Sequence, residues 1–244
     1  MFDGLFSSRK RKDLPVHYER PKCETKVKLA PEFFGRADGM VNQTYESGGN
    51  LQFDSNGELV VREQTTGQYS RIVMPRSIVD FHSHPGRCKK DSCALSIGSP
   101  SDMKNIAIGA MSGANGHFIF TKDGTFAIRV SDWKLDNIWD NKCDILQFLA
   151  DIDTEMDALH RQFIRKQFNY KTYLDKWMTL STQLGFDVHL FPPDEEPYIM
   201  VRHHCDSSVL NEPGAQQTLA IEDSLDFVEK TKRGCNKAKR PKKK

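Results

Sequence analysis

No run of apolar residues in this chain approaches the ~20 that a helix needs to cross a bilayer, so a membrane-spanning helix is not expected. The first residues lack the apolar core of a secretory signal, and no internal repeat is present. Neither sign of charge dominates: 35 Lys and Arg stand against 33 Asp and Glu, for a net charge of +2. The chain as a whole is therefore no polycation, and aromatic residues are not interleaved with its basic runs as specific nucleic-acid recognition would need. Cysteine is sparse, with six in 244 residues (Cys23, Cys88, Cys93, Cys143, Cys205 and Cys235). Without a signal, that number implies a reducing compartment and mostly free thiols. The expected location is intracellular, cytoplasmic or nuclear.

What charge there is gathers at the ends. Arg9-Lys10-Arg11-Lys12 and the segment from Lys237 to Lys244 are basic. Such tails bind nucleic acid through counterion release, without reading sequence, or serve as localisation signals. A mean hydropathy of −0.60 also points to unpacked tails. Residues 1–22 read as a basic arm, 23–134 as a core, 135–203 as a helical extension with two late strands, and 204–244 as a flexible basic tail. A short amphipathic stretch, Leu219 to Val228, interrupts that tail. The class is mixed α/β (α+β).

Local patterns fill in the core. Lys26 to Leu29 alternates as a strand does, and Pro31 opens a helix weakened by Gly35 and Gly39. Asn56-Gly57 between alternating runs marks a hairpin, and Ser77 to Phe81 is a strand that runs into His82. Met103, Ile106, Ala107 and Ala110 have helical spacing behind Ser101-Asp102. A second hairpin turns about Lys122-Asp123-Gly124. Ile145, Leu149, Ile152, Met156, Leu159 and Phe163 recur by four and three. That is an amphipathic helix with coiled-coil-like spacing, so the region 143–184 is a candidate seam for an assembly partner as well as for internal packing. Gly185 caps the helix that follows, and Phe186–Phe191 and Tyr198–Val201 read as strands.

The chemistry lies in Asp80-Phe81-His82-Ser83-His84-Pro85 and Ser99-Pro100-Ser101-Asp102. Alternate side chains of a strand share a face, so His82 and His84 project together. Asp102, at a helix start, can add a carboxylate. Two imidazoles and one carboxylate form a three-ligand zinc site with a position left for water, the catalytic arrangement. A general base is then needed. Glu46 is preferred to Glu58 and Glu63, because Gly48 and Gly49 beside it allow close backbone approach. The Ser99 hydroxyl can donate to an oxyanion. Cys88 and Cys93 are open to three readings, a disulfide, a second zinc site or free thiols. His117, His160 and His189 sit in periodic segments and read as structural.

Glu46-Ser47-Gly48-Gly49, then His82-Ser83-His84-Pro85, then Ser99-Pro100-Ser101-Asp102 resembles the JAMM motif of the MPN (JAB-domain) metalloprotease family, over residues 24 to 131. The resemblance implies a curved β-sheet flanked by helices. It implies a zinc-dependent hydrolase of peptide or isopeptide bonds, similar to deubiquitinase-type isopeptidases, whose protein substrates include ubiquitin-like conjugates. It assigns Zn²⁺ to His82, His84 and Asp102, the base that works on metal-activated water to Glu46, and oxyanion stabilisation to Ser99. The segment from Gly86 to Gly98 is longer than the family usually has, and is similar to JAB-domain proteins of large DNA viruses; the stretch from Glu46 to His82 is short. The alternative reading is a non-catalytic MPN-fold scaffold or a virion structural protein, virion-associated and built through its helices.

Overall fold

Strand β4 (Val79–Ser83) shows why the sheet has two unlike faces. Val79 and Phe81 point one way and join an apolar cluster with Leu51, Phe118 and Phe120. Asp80 and His82 alternate to the other side. The structure, a computed structural model, describes residues 23–67, 78–84, 97–111, 113–141, 143–203 and 228–235. The basic arm, Cys88 and Cys93, Cys205, most of the Leu219 stretch and the lysine-rich end lie outside the described residues.

The chain is mixed α/β, with a mixed sheet flanked by helices. Its strands are β1 (Cys23–Lys28), β2 (Ser47–Phe53), β3 (Leu59–Thr66), β4, β5 (Gly116–Thr121), β6 (Gly124–Val130), β7 (Phe186–Phe191) and β8 (Tyr198–His203). Six of them form one sheet in the order β3-β2-β4-β5-β6-β7. The pair β4–β5 is parallel. A parallel pair needs a crossover, and helix α2 (Pro100–Met111) lies within it. The two late strands do not pair with each other: β7 joins β6, while β8 pairs with β1 in a separate ribbon. Arg202 ties that ribbon to the sheet, donating to Val130 O at 2.5 Å and pairing with Asp132.

Each face has its own core. Helix α1 (Pro31–Val41) covers one face with Phe33, Ala37, Met40 and Val41, spaced by four, three and one. It forms despite Gly35 and Gly39, where an added Cβ would meet nothing within 4 Å. On the other face α2 packs with helices α3 (Asp132–Asp140), α4 (Asp144–Asp151), α5 (Asp157–Ile164) and α6 (Tyr170–Leu184). The single long helix expected from Ile145 is instead interrupted by a π-helical turn, Ile152–Met156. Ile145, Ile152, Met156 and Leu159 of its seam are all buried in the chain's own core. Asn169 caps α6 by accepting from the Thr172 N–H, and Gly185 ends it at φ 110°.

Cysteine usage departs from the free thiols expected. Cys143 and Cys235 form a disulfide that closes 92 residues of sequence, and Cys23 is disulfide-bonded as well. Spacing could not reveal a pair that only the fold brings together. Cys235 lies on a further helix, α7 (228–235), in a region that reads as tail from composition. Among the described residues no helix is long and apolar enough to cross a membrane.

Candidate metal centre

Two chain segments meet at the end of β4. The first is the strand itself. Beyond its last residue the His84 N–H still donates to Phe120 O at 2.8 Å, so His84 keeps the strand direction and the face of His82. The second is the start of α2. Ser99 and Asp102 close a capping box there. The Asp102 N–H donates to Ser99 Oγ at 3.1 Å, while Asp102 Oδ2 accepts from both the Ser99 N–H and its O–H at 2.7 Å. A carboxylate in the first turn also complements the helix dipole.

The approach to Ser99 is pinned from two sides. Trp177, on the buried face of α6, donates its indole N–H to Gly98 O at 3.0 Å. A Cβ on Gly98 would lie 3.1 Å from both Ile119 Cδ1 and Trp177 Cζ2. The loop before Gly98 is long, but its end is fixed by the core.

The three groups converge. His82 Nε2 lies 2.9 Å from His84 Nε2. Asp102 Oδ1 is 3.6 Å from His82 Nε2, and Oδ2 is 3.5 Å from His84 Nε2. These ligand atoms all lie within 4.8 Å of one another. Tetrahedral bonds of ~2.0–2.2 Å place neighbouring ligand atoms ~3.3–3.6 Å apart; the two Asp102–histidine distances match that spacing, and the 2.9 Å between the histidines must open slightly to admit an ion. The histidines are 4% and 5% exposed. Burial lowers His82 to about 4, with Asp102 opposing that shift and His84 adding to it. Its imidazole is neutral at physiological pH, as a ligand must be. Burial works to raise the Asp102 carboxyl, yet His82, His84 and the Ser99 hydroxyl together hold it far below the usual carboxylate range.

Glu46 sits beside this cluster. Gly48 is registered against His82, and the Ser47 N–H donates to Ser83 Oγ at 3.0 Å. By alternation Glu46 shares the face of the histidines. It is buried, which raises its carboxyl to about 7; His84 lowers it and Asp102 raises it further. Those two influences put it within electrostatic reach of the cluster. Glu63 is exposed on edge strand β3, and Glu58 closes the Asp54 turn by donating its N–H to Asp54 Oδ1. Gly49 serves packing: its Cβ would lie 1.9 Å from Glu63 O on β3.

The periodic setting of His117 reads as structural, but its Nε2 lies 2.5 Å from His82 Nδ1. Only the parallel register of β4 and β5 puts it there, and no local pattern carries that information. It belongs to a buried polar row, Asn50, Asp80 and His117, on three neighbouring strands. His203 is paired with Cys23 on the β1–β8 ribbon. No protein-family model, curated protein or solved structure matches the chain.

Proposed function

We propose that this chain is a zinc-dependent hydrolase of peptide or isopeptide bonds with an MPN-like core, working as the JAMM family that its motif resembles. The observation that carries the reading is the convergence of His82, His84 and Asp102 beside a buried Glu46. His82, His84 and Asp102 would hold the ion. A zinc ion in such a site polarises a carbonyl and brings the pKa of water toward ~7.

The chain's own residues do the rest. Glu46, held near neutrality by burial, accepts a proton from the attacking water and returns it to the departing amine nitrogen as the C–N bond breaks. His82 remains a neutral ligand. Ser99 aims Asp102 with its hydroxyl. To stabilise an oxyanion the same hydroxyl must turn away from Asp102. Ubiquitin-like conjugates are the substrates proposed, on the resemblance alone. The Cys143–Cys235 disulfide favours an oxidising setting over a reducing cytoplasm.

A panel of linear and isopeptide-linked ubiquitin-like conjugates tests the reading. Cleavage should stop with a chelator, return with Zn²⁺, and be lost in Glu46→Gln while zinc stays bound. Equal cleavage by Glu46→Gln and wild type would sink the mechanism. A second reading, a metal-holding scaffold, draws on the commitment of the Ser99 hydroxyl to Asp102. Zinc binding without cleavage of any conjugate would favour it.

A further inference from the structure

We infer that His117 is a positioning residue for the metal centre: it accepts the Nδ1 proton of His82 and so turns the Nε2 lone pair of His82 toward the ion. The inference rests on the metal-centre reading above. A neutral imidazole carries one proton on two nitrogens. The His82 nitrogen that faces His84 and Asp102 is Nε2. For Nε2 to bind an ion, the proton must sit on Nδ1, and a buried N–H needs an acceptor.

That acceptor is His117 Nε2, 2.5 Å from His82 Nδ1. The two rings are 4.7 Å apart between centroids and tilted by 51°. His117 comes from the neighbouring strand and one row behind. Asp80 is registered against His117, and His82 against Ile119, so the His117 ring reaches diagonally forward along the sheet. Both imidazoles are at least nine-tenths buried, which leaves bulk water little access to replace this partner.

The partner is unusual in kind. Metal-binding histidines mostly lean on a carboxylate, a backbone carbonyl or water. A neutral imidazole that accepts at Nε2 fixes the tautomer of His82. To accept at Nε2, His117 must carry its own proton on Nδ1, so one proton arrangement runs through both rings.

The test uses the full ¹⁵N-labelled chain and Zn²⁺ alone. In zinc-loaded wild type, His82 should be protonated at Nδ1 and show a ¹⁵N–¹⁵N coupling through the hydrogen bond to His117 Nε2. This measurement needs no variant to fold. Zinc affinity by chelator competition should fall about 10- to 100-fold in His117→Leu, whereas His117→Gln, whose Oε1 can accept in the same place, should stay within about threefold. An absent coupling in zinc-loaded wild type would overturn the inference, as would equal affinity of His117→Leu and wild type. In either case zinc binding itself would stand. Failure of wild type to bind zinc would overturn the metal-centre reading and this inference together.

Discussion

The indole N–H of Trp177 donates to the carbonyl of Gly98, 79 residues earlier in the chain, at 3.0 Å. This bond links α6 to the residue that precedes the Ser99–Asp102 capping box. Trp177 is 1% exposed and meets Phe126 edge to face at 5.6 Å. A helix on the flank of the sheet thereby fixes the end of the long loop. Trp177→Phe keeps a ring but leaves the buried Gly98 carbonyl unpaired. The expected cost is about 1–3 kcal/mol in unfolding free energy, together with weaker zinc binding because Asp102 is aimed less well. Denaturant unfolding and chelator competition check both. Unchanged zinc affinity would show that the loop holds its place without α6.

Glu46 makes stability depend on pH in the metal-free protein. Its carboxyl is raised from an ordinary 4.5 to about 7, burial being the largest cause. Below about 4.5 the folded and unfolded chains both hold the proton, and Glu46 contributes no difference. As pH rises toward 7 the unfolded chain releases it while the folded chain retains it, so stability falls; above 7 the loss is complete. At ~1.4 kcal/mol per pKa unit the loss reaches ~3 kcal/mol at most. Glu46→Gln should remove this slope and be the more stable protein at pH 8. Parallel unfolding curves for the two proteins from pH 5 to pH 8 would contradict the burial argument.

Ser99 has one hydroxyl and two proposed uses. Ser99→Ala should cost about 1 kcal/mol through the lost cap and weaken zinc binding, since Asp102 Oδ2 loses a donor. If the hydroxyl also serves an oxyanion, turnover at saturating zinc should fall by a further factor of about 10²–10³. Turnover unchanged at saturating zinc would leave Ser99 with the positioning role alone.

Two glycines should respond in opposite directions. A Cβ on Gly49 would lie 1.9 Å from a backbone oxygen of β3, so Gly49→Ala must push two strands apart. Gly35 has nothing within 4 Å of its Cβ position. Gly35→Ala should gain about 0.5–1 kcal/mol from helix propensity. Melting temperatures compare them directly, and a melting temperature unchanged by Gly49→Ala would mean that β2 and β3 can separate at no cost.

The disulfide is testable apart from the metal. Cys143→Ser or Cys235→Ser should lower stability by about 2–4 kcal/mol and expose the α7 segment to protease, with zinc affinity unchanged. Peptide mapping without reductant should recover Cys143 joined to Cys235. Recovery of both as free thiols would contradict the pairing.

Much of this fold was legible because its signals are local. The Asn56-Gly57 turn, the alternating strand into His82, the apolar spacing behind Asp102 and the Gly185 cap each lie within a few residues, and the structure has an element at each place. The candidate site residues come from side-chain chemistry and spacing, and the fold brings His82, His84 and Asp102 within 4.8 Å of one another with Ser99 bonded to Asp102. What was not legible depends on distant pairing. Nothing near Phe186 says that β7 extends the main sheet while β8 leaves it. Nothing near His117 says that its neighbour in space is His82. The period from Ile145 gave the right apolar face but not its break, because the π-helical turn keeps Ile152 and Met156 in the core without altering the order of apolar residues.

The central claim is that His82, His84 and Asp102 hold one catalytic ion. A crystal of the protein grown with Zn²⁺ and measured at the zinc absorption edge tests it most directly. The account predicts one anomalous peak within ~2.0–2.2 Å of His82 Nε2, His84 Nε2 and an Asp102 carboxylate oxygen, and no such peak in His84→Ala. A zinc-saturated protein with no peak between those three residues would contradict it.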